Sequence, residues 1–203
     1  MNKMEEHTLI WFCKGMNIKP EAINPDYLLF LFDKKPSVLI FRNDEDSDEV
    51  WELKRQRFFL LTHIIKKFHF YDRNNNGNFC NALILSDKEL PKDITLPKID
   101  HQKLGKFLGY PDCCVKQFEK DFDINDNSGV ICYHSAKRYL NQLKEMNMKQ
   151  DPFGIEINKE KEVEFDFIPF VPCSPKCKES LKLFEEYKLI LKFLEEGIKN
   201  ANK

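Results

Sequence analysis

The sequence has 203 residues, of which 42% are hydrophobic and 13% aromatic, so the chain can bury a core of ordinary size. Its 32 basic and 33 acidic residues give a formal charge of −1, which does not supply the broad basic surface of a dedicated nucleic-acid binder. The first residues do not form a signal peptide and no run reaches about 18 apolar residues, so we expect a soluble cytosolic chain. Seven cysteines, an odd number at modest density, favour intracellular thiols over a disulfide framework.

The first half of the chain predicts short helices, a strand and one long helix. Residues 8–12 are apolar and compatible with a helix, and a start signal at Asn24 precedes a second short apolar run at 27–32. Residues 36–41 form a short run of strand formers, and a further strand is predicted at 79–85. Between them, a long amphipathic helix begins near Ser47. Its apolar positions are Trp51, Phe58, Leu61, Ile65 and Phe68.

The second half predicts more helix. Two short helices at 101–108 and 111–122 are separated by a glycine turn, and a longer one follows at 129–146. Residues 162–170 alternate as a strand, and the last helix is predicted to begin at Ser174. We therefore predict the α+β class, as a predominantly helical single domain over residues 1–203 with a small β-sheet.

The cysteines of the second half lie in two distinctive segments. One is LGYPDCCVKQF at 108–118 and the other is PCSPKCKES at 172–180. A proline near the predicted start of each helix places each cysteine pair in a first helical turn, where free backbone N–H groups and the positive helix end favour a thiolate. A thiolate is the form that binds metal or attacks as a nucleophile. The segments therefore indicate one functional site.

Several chemistries fit this set of cysteines. Four thiols would hold a tetrahedral zinc ion or an iron–sulfur cluster. Because adjacent cysteines seldom reach one ion easily, a three-cysteine site completed by a carboxylate, a histidine or water is an alternative. The candidate ligands are Cys113, Cys114, Cys173 and Cys177, with Asp112 and His101 as additional ligands. Thiol redox chemistry within either pair, or simple burial of the cysteines, are the other interpretations.

Together the two segments resemble the archaeal family catalogued as domain of unknown function 483, in which GYPxCC is followed after a variable gap by PCxxxCxxS. The matching residues are Gly109, Tyr110, Pro111, Cys113, Cys114, Pro172, Cys173, Cys177 and Ser180. The likeness covers the cysteine-signature region, 104–181, and leaves 1–100 without a family assignment. The resemblance implies an archaeal cytosolic protein and implies no reaction.

We expect a metal-binding protein, acting as an enzyme or as a partner module, with a thiol-dependent oxidoreductase and a structural adaptor as the alternatives. Cys13, Cys80 and Cys132 lie in apolar patterns and are predicted to be core cysteines. Residues 72–78 resemble a calcium loop, but Leu83 stands where the bidentate carboxylate is needed. The sequence has no phosphate loop, Ser–His–Asp order or dinucleotide fingerprint, so substrate and partners are not predicted.

Overall fold

The computed structural model of the chain is mainly helical with two small antiparallel sheets, which confirms the predicted α+β class. The structure describes residues 3–15, 19–20, 23–42, 46–72, 82–91, 100–124, 128–157, 163–165 and 170–201. The helices of this part are α1 (Lys3–Gly15), α2 (Pro25–Leu31), α3 (Asp48–Ile65), α4 (His101–Phe107), α5 (Asp112–Ile124), α6 (Ser128–Glu145) and α7 (Lys178–Asn200). The strands are β1 (Ser37–Phe41), β2 (His69–Asp72), β3 (Ala82–Ser86), β4 (Ile155–Ile157) and β5 (Val163–Phe165).

The chain divides into two compact units. Unit 1 comprises Met1–Ile99 and Lys188–Lys203, and unit 2 comprises Asp100–Tyr187. That these residues form one domain stays a prediction. None of the helices in the described residues is both long enough and apolar enough to cross a membrane.

Unit 1 contains a three-stranded sheet with β3 in the centre. β3 pairs antiparallel with β1 on one side and with β2 on the other, so Leu85 lies opposite both Val38 and Phe70. All five residues of β3 are buried, which explains why its sequence is an unbroken apolar run rather than an alternating one. Ser37 and Ser86 are fully buried, and their hydroxyl oxygens are 2.9 Å apart in a hydrogen bond.

The helices of unit 1 follow the predicted capping signals. The Asn24 side chain caps α2 by accepting from the N–H of Tyr27, and the Ser47 side chain caps α3 by accepting from the N–H of Val50. α2 is buried throughout and carries Asp26, whose carboxylate is 2.7 Å from the Lys35 ammonium. Both side chains of this ion pair are 2% exposed or less.

Unit 2 packs α4, α5, α6 and the small β4–β5 sheet around an aromatic core. Tyr139 and Phe153 are fully buried, and the Tyr139 hydroxyl donates to the Asp151 carboxylate. The same carboxylate accepts from the N–H groups of Phe153 (2.9 Å) and Ile155 (2.6 Å), which fixes the start of β4. The first part of α7 completes this core with Phe184 and Tyr187.

The last helix begins later than predicted, so the predicted start at Ser174 is wrong. The Ser174 carbonyl accepts from the Cys177 N–H at 3.1 Å, and Pro175 occupies the second position of this turn, where its fixed φ is favoured. Helical bonding starts only when the Cys177 carbonyl accepts from the Leu181 N–H at 2.9 Å. The buried face of α7 consists of Ser180, Phe184, Tyr187, Ile190 and Leu194.

The strands show two smaller differences from prediction. α3 ends at Ile65, although its amphipathic pattern was expected to continue through Phe68. β2 begins soon afterwards, at His69. β4 was not predicted because it has only three residues, and it is half of a hairpin-like pair with β5. The predicted strand at 162–170 contains β5, and residues 166–169 lie outside the described part of the chain.

Candidate metal centre

A tight turn between α4 and α5 precedes the first cysteine pair and positions it. Gly109 has φ 77°, and its N–H bonds to the Lys106 carbonyl while the Tyr110 N–H bonds to the Gly105 carbonyl. These two bonds close α4 with a Schellman motif, which needs a residue that adopts positive φ freely. A Cβ on Gly105 would lie 2.7 Å from a Val115 methyl, so this glycine allows α4 to approach α5 closely.

The beginning of α5 sets the direction of the two sulfurs. The Pro111 carbonyl accepts from the N–H groups of Cys114 (2.9 Å) and Val115 (3.0 Å), so the helix starts immediately after the proline. Cys114 is 3% exposed, whereas Cys113 is exposed. The Cys114 side chain is therefore buried inside the protein, while that of Cys113 lies at the surface.

The second cysteine pair lies in the turn that precedes α7. Cys173 is half-buried and Cys177 is 6% exposed. The ring of Phe170, close before this turn, packs on the ring of Tyr110, with centroids 4.9 Å apart. An aromatic contact therefore joins the first cysteine segment to the residues just before the second one.

The four sulfur atoms of these segments come together. The Cys113 and Cys177 sulfurs are 3.5 Å apart, and the Cys114 sulfur lies 3.6 Å from Cys177 and 4.0 Å from Cys113. With Cys173 included, all four sulfurs lie within 4.8 Å of one another. The two segments, which the sequence indicates as one site, therefore bring all four sulfurs together.

Hydrogen-bond donors surround the two buried sulfurs. The fully buried Ser180 hydroxyl lies 3.2 Å from the sulfur of Cys177 and 3.2 Å from that of Cys114. The Cys173 N–H donates to the Cys114 sulfur at 3.3 Å. In the sequence Ser180 stands out only as part of a motif, because a serine in an apolar helix face does not reveal which groups it contacts.

Burial and these contacts give the thiols different pKa values. Burial raises the pKa of the Cys177 thiol, but hydrogen bonds from Ser180, Cys113 and Cys173 outweigh it and lower that pKa from 9.0 to about 7. Burial, helped by repulsion from Cys173 and Cys177, raises the pKa of Cys114 far above its ordinary value. Burial and the neighbouring Cys113 and Cys177 sulfurs raise the pKa of Cys173 to about 12. The thiolate form is therefore favoured at Cys177, whereas burial, followed by the influence of the neighbouring sulfurs, opposes it at Cys114 and Cys173.

An arginine supports the second cysteine turn from outside. The Arg138 guanidinium donates to the carbonyls of Cys173 (2.9 Å) and Pro172 (3.4 Å). It also forms an ion pair with Asp121 of α5, at 3.3 Å. Neither Arg138 nor Asp121 was predicted from the sequence, because a charged residue on a helix looks like an ordinary solvated one until its partners are known.

Those of the remaining sequence candidates that the structure describes do not belong to this cluster. Asp112 begins α5 with an exposed side chain and does not belong to the group of four ligand atoms. His101 begins α4, and its side chain lies outside the described part of the structure, as does that of Cys132. Cys13 is 1% exposed, which confirms the predicted core position. Cys80 and most of the calcium-like loop at 72–78 lie outside the described residues.

Comparisons with known proteins give a family and one archaeal relative. The family model described as "Protein of unknown function (DUF483)" matches residues 92–200, which include all four clustered cysteines. The chain is 30% identical over 87 residues to the uncharacterized protein MJ1106 of Methanocaldococcus jannaschii. That alignment covers 42% of this chain and 38% of the relative, so the match spans well under half of either protein. No solved structure matches the chain.

Proposed function

The chain belongs to the family of proteins of unknown function DUF483, and we propose that it holds a single metal ion, with zinc the first candidate, through Cys113, Cys114, Cys173 and Cys177. The observation that carries this proposal is the spacing of the sulfurs. A zinc ion about 2.3 Å from each of four tetrahedral thiolates separates them by about 3.8 Å. The sulfur separations of 3.5, 3.6 and 4.0 Å bracket that value.

The same spacing favours one ion over an iron–sulfur cluster. A cluster binds its cysteines through different iron atoms and therefore holds their sulfurs farther apart than one ion does. All four sulfurs here lie within 4.8 Å of one another. A single iron ion would share the tetrahedral geometry of zinc, so the metal itself is to be identified by elemental analysis.

Charge supplies a second argument for a cation. The raised pKa values of Cys114 and Cys173 reflect first the cost of burying a negative sulfur and second the repulsion between neighbouring sulfurs. A divalent ion removes that cost, because it binds thiolates and offsets their charge. The N–H and hydroxyl groups aimed at Cys114 and Cys177 are the donors that zinc-bound thiolates accept.

A site closed by four protein ligands favours a structural role over catalysis, because it leaves no position for water or substrate. We therefore propose that the ion joins the start of α5 to the turn before α7 and stabilises unit 2, in a cytoplasmic archaeal protein. An adaptor function is compatible with this role. An enzyme would require a further site, or exchange of a ligand.

Thiol redox chemistry is the second candidate function. Cys113 is exposed, and its sulfur lies 3.5 Å from that of Cys177. Two thiols at this separation can form a disulfide by losing two protons and passing two electrons to an oxidising partner such as another disulfide. This function competes with metal binding, because it requires Cys113 and Cys177 to be free.

A matched pair of cysteine variants tests the metal proposal. Protein purified without oxygen should contain about one metal ion per chain by elemental mass spectrometry. Cys177→Ser should lose that metal, because it removes one of four ligands. Cys13→Ser should keep it, although it also changes a buried sulfur, because Cys13 belongs to unit 1.

Two results would contradict the proposal. Metal retained by Cys177→Ser would mean that this sulfur is not a ligand. If the parent protein contains no metal and takes up none from added zinc, the redox function becomes the leading one. In that case thiol titration before and after treatment with a small disulfide should show reversible loss of two thiols that Cys113→Ser abolishes.

A further inference from the structure

We infer that Arg138 is a positioning residue of the metal site, which orients and polarises the peptide group whose N–H binds the Cys114 sulfur. The inference rests on the proposed function. Arg138 lies on α6, and the hydrogen bonds described for it reach no sulfur atom. Its effect on the metal would pass through the backbone between Pro172 and Cys173.

The first observation is that all three nitrogen atoms of the Arg138 guanidinium donate hydrogen bonds. An arginine side chain has five N–H donors in a planar arrangement. The Nε group donates to the Asp121 carboxylate at 3.3 Å, and the Nη2 group donates to that carboxylate at 3.3 Å and to the Pro172 carbonyl at 3.4 Å. The Nη1 group donates to Gln142 at 3.3 Å and to the Cys173 carbonyl at 2.9 Å. These five hydrogen bonds therefore fix the plane of the side chain.

The Asp121 carboxylate anchors this arrangement inside unit 2. Asp121 is 8% exposed and accepts from Gln117 at 3.0 Å and from the hydroxyl of the buried Ser135. Asp121 and Gln117 belong to α5, which also carries Cys114, whereas Ser135 and Arg138 belong to α6. The network therefore ties the turn before α7 to the helix that supplies the other two cysteines.

The second observation concerns one peptide group. The Pro172 carbonyl and the Cys173 N–H belong to the same planar unit, and in the usual trans form they point in opposite directions. Arg138 donates to the carbonyl, and the N–H donates to the Cys114 sulfur at 3.3 Å. A cation on the oxygen side draws electron density from the nitrogen side, so the N–H becomes a stronger donor to a thiolate.

A hydrogen bond from the Cys173 N–H to the Cys114 sulfur would stabilise a site built from thiolates. Four thiolates around one divalent ion retain two negative charges, and a partly buried site needs donors to stabilise them. The Cys173 N–H is one of those donors, and Arg138 would set both its direction and its strength. Lysine cannot replace arginine here, because an ammonium group is a single point with three donors and cannot span two carbonyls, a carboxylate and an amide.

Three variants test the inference in the full-length protein. Arg138→Met keeps much of the side-chain volume and removes the charge, Arg138→Lys keeps the charge and loses the planar donor set, and Lys137→Met removes an exposed positive charge from the neighbouring position. Zinc affinity is measured by competition with a chromophoric chelator. We expect Arg138→Met to weaken zinc binding about 10- to 100-fold, Arg138→Lys to weaken it less, and Lys137→Met to leave it unchanged.

A spectroscopic measurement separates polarisation from a general loss of structure. In zinc-loaded, ¹⁵N-labelled protein, a weaker N–H···S bond should move the Cys173 amide proton upfield in both Arg138 variants. Amides of unit 1, such as that of Leu85 in β3, serve as the reference and should not move. If Arg138→Met does not fold, the comparison of Arg138→Lys with the parent still decides the matter.

The outcomes distinguish this inference from the proposed function. If the parent binds no zinc, the proposed function fails and the inference fails with it. If the parent binds zinc and both Arg138 variants match it in affinity and in the Cys173 shift, only the role of Arg138 is overturned. A loss of affinity without a change in that shift would also overturn it, since Arg138 would then act on folding alone.

Discussion

Each of the two units contains a polar cluster that is at least partly buried, and the two clusters balance charge differently. In unit 1, the Asp26 carboxylate and the Lys35 ammonium are 2.7 Å apart and almost completely buried. Their opposite charges cancel within the protein. In unit 2, four thiols lie within 4.8 Å of one another, and every one that ionises adds charge of the same sign.

The difference indicates what each cluster needs in order to be stable. The ion pair needs no further charge, because its two charges balance each other. Burial nevertheless lowers the pKa of Lys35 against the attraction of Asp26, so keeping the lysine charged costs free energy. On the proposed function, a bound metal ion balances the charge of the thiol cluster. Arg138, a cation close to the second cysteine turn, is already paired with Asp121 and with backbone carbonyls. Variants of each cluster test the proposed contrast.

Breaking the ion pair should have the largest effect on stability. Lys35→Met leaves the Asp26 carboxylate buried without its cation, and we expect the free energy of unfolding to fall by about 3 to 5 kcal/mol. Urea denaturation followed by circular dichroism measures this change. The loss should be the same with and without a chelator, because Asp26 and Lys35 belong to unit 1.

The double variant Asp26→Leu with Lys35→Met is the control for this experiment. Since burial lowers the Lys35 pKa, the charged pair is costly, and replacing both partners by apolar residues should be neutral or stabilising. A double variant as unstable as Lys35→Met would mean that the pair contributes packing or further contacts that apolar side chains do not replace.

Removing the metal should have the next largest effect. An ion that binds only the folded chain adds about 2.7 kcal/mol to the free energy of unfolding when its free concentration is about 100 times its dissociation constant. A strong chelator should remove this stabilisation from the parent and from Cys13→Ser, and added zinc should restore it. Cys177→Ser should not respond to either reagent. Thermal melts that are identical with chelator and with zinc would contradict the proposed contrast between the two clusters.

The sequence predicted much of this architecture because the relevant signals are local. Asn24 and Ser47 cap helices where they were expected to, and the apolar run of β3 is a strand. The two cysteine segments were also recognised as one site, because each places a pair of thiols beside a proline at a turn of the chain. These features depend on residues a few positions apart.

The errors have a common physical origin in contacts distant along the chain. Ser174 and Pro175 suit a helix start and a β-turn equally well, and the folded chain has the turn, next to a Cys173 N–H that donates to the Cys114 sulfur. Arg138 is separated by more than 30 positions from the carbonyls to which it donates, so no local pattern reveals its role. The pKa values of the thiols likewise depend on neighbours that only the fold brings together.

The smallest predicted effect concerns a hydroxyl group. Ser180→Ala removes a fully buried donor that lies 3.2 Å from both the Cys114 and the Cys177 sulfurs. We expect zinc affinity to fall about tenfold, equivalent to about 1.4 kcal/mol, because a supporting hydrogen bond is lost while all four ligands remain. Chelator competition measures the affinity, and elemental analysis at excess zinc should still find about one ion per chain.

A serine of unit 1 provides the matched control for that prediction. Ser37 is also fully buried, and its hydroxyl bonds to that of Ser86 rather than to a sulfur. Ser37→Ala removes one hydrogen bond of the Ser86 hydroxyl, which still accepts from the Lys88 N–H at 3.0 Å, and should cost about 1 kcal/mol of unfolding free energy while zinc affinity stays unchanged. Ser180→Ala should show a dependence on zinc that Ser37→Ala lacks, because the Ser180 hydroxyl stabilises sulfurs that bind the ion and the Ser37 hydroxyl does not. Equal zinc affinities for the two serine variants would mean that Ser180 supports the packing of α7 and has no part in holding the metal.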